Sequence, residues 1–293
     1  MLRLLTVLLV ALLITGLVGC TTPPPATEAP PDPFALIKEA ADKLRAASTF
    51  RIAVNESGPD YTMYTEYATV FFRRAVAQYV APGMMQATIR VIAAGLPLEV
   101  EVFSRGIDQW YRAIWTANQW INQPFAPEFN PSTLVAEETG FQAALDALID
   151  LTYVGKTELE NGVQVFSLAA TADGPDVSAL LGELISPVGI VDVAVHINEA
   201  TRYPARFVIT EYNSPYAATE EPGQDIAPII WTIDVYDINA PAELSTPPDA
   251  LSTAEATSET TPAPDANLLE QLTAEPASTE AATEPDAAET PAS

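Results

Sequence analysis

Between Phe50 and Tyr236 the chain alternates apolar and polar side chains at a period of two, in short runs separated by turn residues. Val191, Val193, Val195 and Ile197 alternate with Asp192, Ala194, His196 and Asn198. Ile229, Trp231, Ile233 and Val235 alternate with Ile230, Thr232, Asp234 and Tyr236. Ala87, Ile89, Val91 and Ala93 form a similar set, and so do Leu98, Val100 and Val102, which alternate with Glu99, Glu101 and Phe103. A strand turns successive side chains to opposite faces, so each set shares one face of a sheet. Gly58-Pro59, Pro82-Gly83, Gly95, Gly106 and Glu160-Asn161-Gly162 mark the turns,. Strands this close in sequence, without long helices between them, predict an antiparallel meander of roughly nine to eleven strands with one apolar face.

That face needs a cover, and three segments offer one. Asp32-Pro33 is a helix start, and Ile37, Ala40, Ala41, Leu44 and Ala47 then follow at three-and-four spacing,. After Asn130-Pro131-Ser132 and Thr139-Gly140, the residues Phe141, Ala144, Leu145, Leu148 and Ile149 or Leu151 make a second stripe. Asp176 caps a third, with Val177, Leu180, Leu181 and Leu184. The expected class is α+β, a curved antiparallel sheet with helices over its apolar face. Periodicity leaves open whether the space between them is packed or hollow.

The N-terminus reads as a targeting signal. Arg3 precedes an apolar run from Leu4 to Ile14, too short to favour a membrane span and suited to a signal peptide over residues 1–19,. The sequence Leu17-Val18-Gly19-Cys20 resembles the bacterial lipobox, whose cysteine is acylated and becomes residue one. Cys20 is the single cysteine of the chain, so it forms no internal disulfide,. The expectation is lipid attachment at Cys20 and a location on the cell membrane, anchored on the extracytoplasmic face. Acyl chains hold such an anchor at about 0.8 kcal/mol per buried CH₂. Residues 20–33, with six prolines after the cysteine, form a semi-extended tether,.

The folded domain is expected over residues 34–239. Residues 240–293 are mostly Ala, Thr, Pro, Ser and Glu with no basic or aromatic side chain, a composition that does not offset its ordering entropy and predicts a disordered acidic tail,. The tail carries 11 of the 39 acidic residues and none of the 13 basic ones. With Glu28, Asp32 and Arg3 also set aside, 26 acids and 12 bases remain, a net charge near −14 on the domain. That balance argues against nucleic acid and against docking on anionic headgroups through a basic patch.

Enzyme motifs are weak. His196 is the only histidine, which excludes multi-histidine metal sites,. There is no G-x-S-x-G, no P-loop and no G-x-G-x-x-G, and nothing in the sequence calls for a cofactor,. Glu99 and Glu101 share a strand face, and Glu137 and Glu138 are adjacent, but paired acids arise by chance in so acidic a chain,. Trp110, Tyr111, Trp115 and Trp120 read as core and hairpin aromatics, with sugar stacking or a membrane interface as the alternative,. The expectation is that the chain has no catalytic residues.

The order of pieces resembles the LppX/LprG (LppX-LprAFG) lipoprotein family. The resemblance rests on "ALIKEAADKLRAASTFRIAV", on "YVAPGMMQATIRVIAAGLPLEVEVFSRGIDQWYRA", on "VGKTELENGVQVFSLAATADGPDVSALLGEL" and on "VDVAVHINEATRYPARFVITEY". It covers residues 34–239. It implies a LolA-like half-barrel with helices over the concave face, a large apolar cavity, and binding and transport of acylated lipids or glycolipids across the envelope. The long acidic tail departs from the family pattern.

Ile89, Val91, Leu98, Val100, Val102, Phe141, Leu145, Leu148, Leu181, Val193, Val195 and Trp231 are the candidate cavity-lining residues. The partners expected are a lipid or glycolipid ligand, the membrane through acylated Cys20, and an envelope transport partner. The alternative is a structural or assembly lipoprotein with a filled core and a protein partner. A hydrolase of envelope polymers would need clustered acids in a cleft flanked by Trp110 or Trp115.

Overall fold

The structure is a computed structural model and describes residues 29–64, 69–126, 129–218 and 227–248. The signal, Cys20 and most of the tether lie outside these residues, as does the tail from residue 249 onward. The chain divides after Pro31 into two units, and all the strands belong to the second.

Helix α1 spans Pro33–Arg45. Asp32 caps it by accepting from the Phe34 N–H at 3.0 Å, and Pro33 occupies the first helical turn, where a missing N–H costs nothing,. Lys43 and Arg45 sit in the last turn, where cations favour the helix dipole,. Leu36, Ile37, Ala40, Ala41 and Leu44 form its buried stripe.

Among the described residues, twelve strands form one antiparallel sheet. They are β1 (Thr49–Ser57), β2 (Thr62–Tyr64), β3 (Thr69–Val80), β4 (Met84–Ala93), β5 (Leu96–Arg105) and β6 (Asp108–Ala113), followed by β7 (Ile121–Asn122), β8 (Ile149–Glu158), β9 (Gln164–Asp173), β10 (Ile190–Asn198), β11 (Pro204–Glu211) and β12 (Ile229–Tyr236). The order is β7-β6-β5-β4-β3-β1-β12-β11-β10-β9-β8, with β2 added on β3. The first strand thus pairs with the last, and two meanders fan out from this central pair.

That order dictates the lid. β7 and β8 are opposite edges of the sheet, so residues 123–148 must cross from one edge to the other. The crossing carries a 3₁₀ turn at Pro131–Val135 and helix α2 at Gly140–Asp146. Leu134, Phe141, Ala144, Leu145 and Leu148 from the crossing enter the core together with the stripe of α1. A second 3₁₀ segment, Gly174–Leu181, packs on α2 and adds Val177, Leu180 and Leu181. Gly174 has to be glycine, because a Cβ there would lie 2.3 Å from the Pro187 carbonyl oxygen,.

Three details differ from the periodicity reading. The second stripe ends early: α2 stops at Asp146, and Ile149 and Leu151 belong to β8. The short residues 174–181 are 3₁₀ rather than α-helical. Residues 61–72 and 74–81, both rich in Tyr, Thr, Val and Phe, read as two separate strand-forming runs, whereas Thr69–Val80 is one strand, β3, with a bulge between Phe72 and Arg74. The bulge sends Arg73 outward to a bidentate pair with Asp60 (2.6 and 2.8 Å) and lets Phe72 and Ala75 both enter the core,.

Candidate functional site

The ladder fixes which side chains share the face under the helices. Phe50, Ile52 and Val54 of β1 face it and pair with Tyr79, Ala77 and Ala75 of β3. β3 hands the same face to Met85, Ala87, Ile89 and Val91 of β4, which hand it to Ser104, Val102, Val100 and Leu98 of β5. On the other side Val54 pairs with Ile233, and the face continues through Phe207, Ile209, Val193 and Val195. All twelve candidate residues lie on this face or on the elements that cover it.

The structure divides them in two. Phe141, Leu145, Leu148, Leu181, Val193, Val195 and Trp231 belong to one packed cluster, with Trp231 and Leu181 fully buried. Their space is filled by each other and by Phe50, Phe207 and Leu180. Phe141 meets Phe207 with ring centroids 6.2 Å apart, and Phe50 stacks on Tyr79 at 4.8 Å. The remaining five, Ile89, Val91, Leu98, Val100 and Val102, lie on β4 and β5, the outer wing of the face, where Ile89 still packs against that cluster. Val91 and Val102 are buried, whereas Ile89, Leu98 and Val100 are half-buried. The apolar strip continues outward to Leu96, 49% exposed, and Ile114 just past β6 is 70% exposed. The wing is a shallow apolar trough, half covered.

At the inner end of the trough Gln109 (β6) anchors the crossing. Its amide nitrogen donates to the carbonyls of Ala126 and Phe129 (2.6 and 3.2 Å), and its amide oxygen accepts from the N–H groups of Phe125 and Ala126 (2.9 Å each). This clamp sets Phe125 and Phe129 over Met85, Ala87 and Val102, enclosing a recess of about 20 Å³, roughly the room of one water. The buried Ser104 hydroxyl lines the recess without a hydrogen-bond partner.

Sequence reasoning missed two acids on the apolar face. Glu56 continues the parity of Ile52 and Val54, and Glu211 continues that of Phe207 and Ile209, so strand parity alone could have found both. Glu56 lies opposite Trp231 in the ladder. Its Oε1 accepts from the Tyr61 N–H at 2.7 Å, and its Oε2 is buried without a partner. Burial pushes its carboxyl up to about 7, against the opposing pull of the Tyr61 hydrogen bond and of Arg73,. Glu211 is fully buried and accepts from the Val188 N–H and the Trp231 indole. Tyr61 packs edge-on against Trp231 at 5.1 Å, and burial, with Glu211 nearby, raises its hydroxyl above the usual range.

The outer face holds the other residues weighed for chemistry. Glu99 and Glu101 form ion pairs with Arg90 (2.8 Å) and Arg112 (2.7 Å). Trp110 packs on Phe103, and Arg112 lies 4.7 Å over the Trp120 ring. Ser167 and the Nδ1 of His196 are 3.1 Å apart. Burial lowers the imidazole's basicity, and the nearby Arg206 lowers it further, with Glu160 opposing. Arg206 is itself held by Asp234 and Glu160. Among the described residues, no three His, Cys, Asp or Glu side chains stand together to hold a metal ion. No described helix is long and apolar enough to cross a membrane.

The family model of the LppX_LprAFG lipoproteins matches residues 32–241. The chain belongs to the LppX/LprAFG lipoprotein family. LprF from Mycobacterium bovis has a similar fold, with a TM-score of 0.50 at 13% identity, over 74% of this chain and 99% of that one. Lipoprotein LppX of Mycobacterium tuberculosis aligns at a TM-score of 0.46 and 15% identity, over 72% of this chain and 97% of that one. A LolA superfamily protein from Nitrosomonas europaea aligns at 0.25 and 10% identity, over 72% and 94%. Among curated protein sequences none matches significantly. The α+β class, with an open curved antiparallel sheet and few helices, is that of the family.

Proposed function

We propose that this chain is a membrane-anchored lipoprotein that binds acylated lipids or glycolipids on the apolar face of its sheet and carries them within the cell envelope. The observation that supports this best is the half-covered wing. Ile89, Leu98 and Val100 stay partly open to solvent on a sheet whose other half is buried under helices. An acyl chain laid along them replaces water on hydrocarbon, at about 0.8 kcal/mol per CH₂. Deeper entry means lifting the 131–148 crossing off the sheet, since Trp231, Phe207 and Leu180 fill the space beneath it. The headgroup stays at the outer rim, near Leu96 and Ile114. Acylated Cys20 holds the domain at the membrane from which the lipid comes, and the transfer partner is an envelope protein or membrane.

The packed interior favours a second reading, a structural or assembly lipoprotein that presents its surface to a protein. Its support is the fully buried cluster around Trp231 and an enclosed recess of only about 20 Å³ at the wing. One experiment separates the two. Protein purified from its own membrane is extracted for lipid mass spectrometry, and the delipidated domain is titrated with a fluorescent fatty-acyl probe. The carrier reading expects a co-purified acylated lipid and saturable uptake. Neither lipid nor uptake leaves the structural reading.

A further inference from the structure

Residues 239–248 leave the end of β12 and run across the outer face of the sheet. The first anchor lies at the start of β1. Asn239 Oδ1 accepts from the Ser48 N–H at 2.8 Å, the Asn239 N–H donates to the Thr49 carbonyl at 2.8 Å, and the Thr49 hydroxyl donates to the Ala240 carbonyl at 2.6 Å. The second anchor lies on the wing. Leu244 packs against Phe103 and Trp110, the Ser245 N–H donates to Gln86 Oε1 at 2.7 Å, and Arg112 reaches the Ser245 hydroxyl at 3.4 Å. Phe103, Trp110, Gln86 and Arg112 all point away from the apolar trough, as the register with Val102 and Ala87 requires. Pro247 is buried beyond this anchor.

The span between the anchors is short for the distance. β1 and β5 are separated by three inter-strand gaps, about 14 Å,. Residues 240–244 supply about 17 Å when fully extended, and the second anchor is also displaced along the strands, since Thr49 pairs with Val80 and Val80 with Met84, two residues from Gln86. The segment therefore has little slack. On the outer side of a curved sheet the path between two strands lengthens as the sheet curls, so a taut outer link resists further curling of the wing onto the helices. The family match ends at residue 241, so the wing anchor is made by residues beyond it.

We propose that residues 240–248 are a strap that holds the β4–β6 wing at its open angle, with Leu244 and Ser245 as positioning residues for the ligand face. This deepens the lipid-binding reading and rests on it for its effect on binding, though not for its effect on the wing. The anchor at β1 fixes one end, the Phe103–Trp110 pair receives the other, and the trough on the opposite side of the same strands keeps its shape.

The test uses the full chain, the Leu244→Asp variant and a chain ended after Asn239. Amide hydrogen exchange is read strand by strand, and affinity for a fluorescent fatty-acyl probe is read in parallel. Leu244→Asp is expected to raise exchange in β4–β6 by tenfold or more while β9–β12 are unchanged, and to weaken probe binding several-fold. The truncated chain is expected to do the same; should it fail to fold, Leu244→Asp alone decides. Unchanged exchange in β4–β6 overturns the strap. Faster exchange with unaltered probe affinity overturns its role in positioning the ligand face. A full chain that binds no probe sinks the lipid reading instead, and the exchange result then judges the strap by itself.

Discussion

Glu211 and Trp231, both fully buried, meet inside the apolar core, where the indole Nε1 donates to the carboxylate Oε2 across 3.4 Å. The other oxygen of Glu211 accepts from the Val188 N–H at 3.0 Å and so fixes the loop that follows the 174–181 segment. A buried carboxylate persists where donors compensate it, and removing it leaves those donors unpaired. Glu211→Ala is expected to cost about 2–4 kcal/mol. A urea titration followed by tryptophan fluorescence measures this, and an unchanged midpoint would show that neither bond matters to the fold.

Glu56 gives the domain an acid-favoured component of stability. Its carboxyl is raised from 4.5 to about 7 in the folded state, chiefly by burial. A group that binds its proton more tightly when folded stabilises the protein below its unfolded value and loses that contribution as pH rises through the folded one. The contribution is therefore present near pH 4.5 and gone above about pH 7. Because the side chain is half-exposed, its size is about 1–2 kcal/mol after screening. Asp60 and Arg73 face the same turn and set the local field. Glu56→Gln keeps an acceptor for the Tyr61 N–H and should flatten the stability difference between pH 5 and pH 7.5. Identical pH profiles for the two proteins would remove Glu56 as the cause.

His196 is the single histidine, so its titration is unambiguous. Burial holds the imidazole neutral to lower pH than an exposed histidine, and Arg206 adds to the effect,. Its NMR titration is expected to have a midpoint below 6.5, and Arg206→Met should move the midpoint upward. The sign for stability is opposite to that of Glu56. The contribution is present above the unfolded value and is lost as pH falls through the folded one. A midpoint at or above the ordinary value would mean that Ser167 and Arg206 do not enclose the ring as described.

Gln109 clamps the crossing segment with four hydrogen bonds from one buried side chain. Gln109→Ala leaves two N–H groups and two carbonyls to find water, at about 2–3 kcal/mol. Phe125 and Phe129 then lose their seat over Met85 and Val102. Limited chymotrypsin digestion should cut at these phenylalanines in the variant well before it cuts the parent chain. Equal digestion rates would place the hold on this segment elsewhere.

Strand parity made most of the sheet legible. The runs at Val191–Ile197 and Ile229–Val235 each turn one set of side chains into the core, and the ladder pairs them in register. Parity failed where the ladder breaks. The bulge at Arg73 merges two apparent strands, and a local sequence does not signal a bulge that a distant Asp60 stabilises. Ile149 fits a helical stripe and lies in a strand because the edge pairing with Thr171 prevails over local preference,. Leu244 stands among Ala, Pro, Ser and Thr, so nothing near it in sequence reveals that Phe103 and Trp110 receive it. The candidate site was legible by face and illegible by cover. Which half of the apolar face stays open depends on the route of residues 123–148 between opposite sheet edges, a consequence of strand order that no local pattern carries.

That division yields the sharpest contrast between two valines. Val100 sits half-buried on the wing, and Val195 is 1% exposed in the packed cluster under the helices. Val195→Ala deletes packed methyl groups and leaves a cavity, so it should cost about 1–3 kcal/mol while leaving uptake of an acyl probe at the wing unaltered. Val100→Asp keeps its charge in reach of water and should cost less than about 1 kcal/mol, yet it places a carboxylate where the ligand's hydrocarbon would lie, which should weaken binding tenfold or more. Denaturation midpoints and probe titrations on the two variants test this together. If Val195→Ala lowers affinity and Val100→Asp does not, the ligand enters beneath the helices, and the wing is only the surface of a core that opens elsewhere.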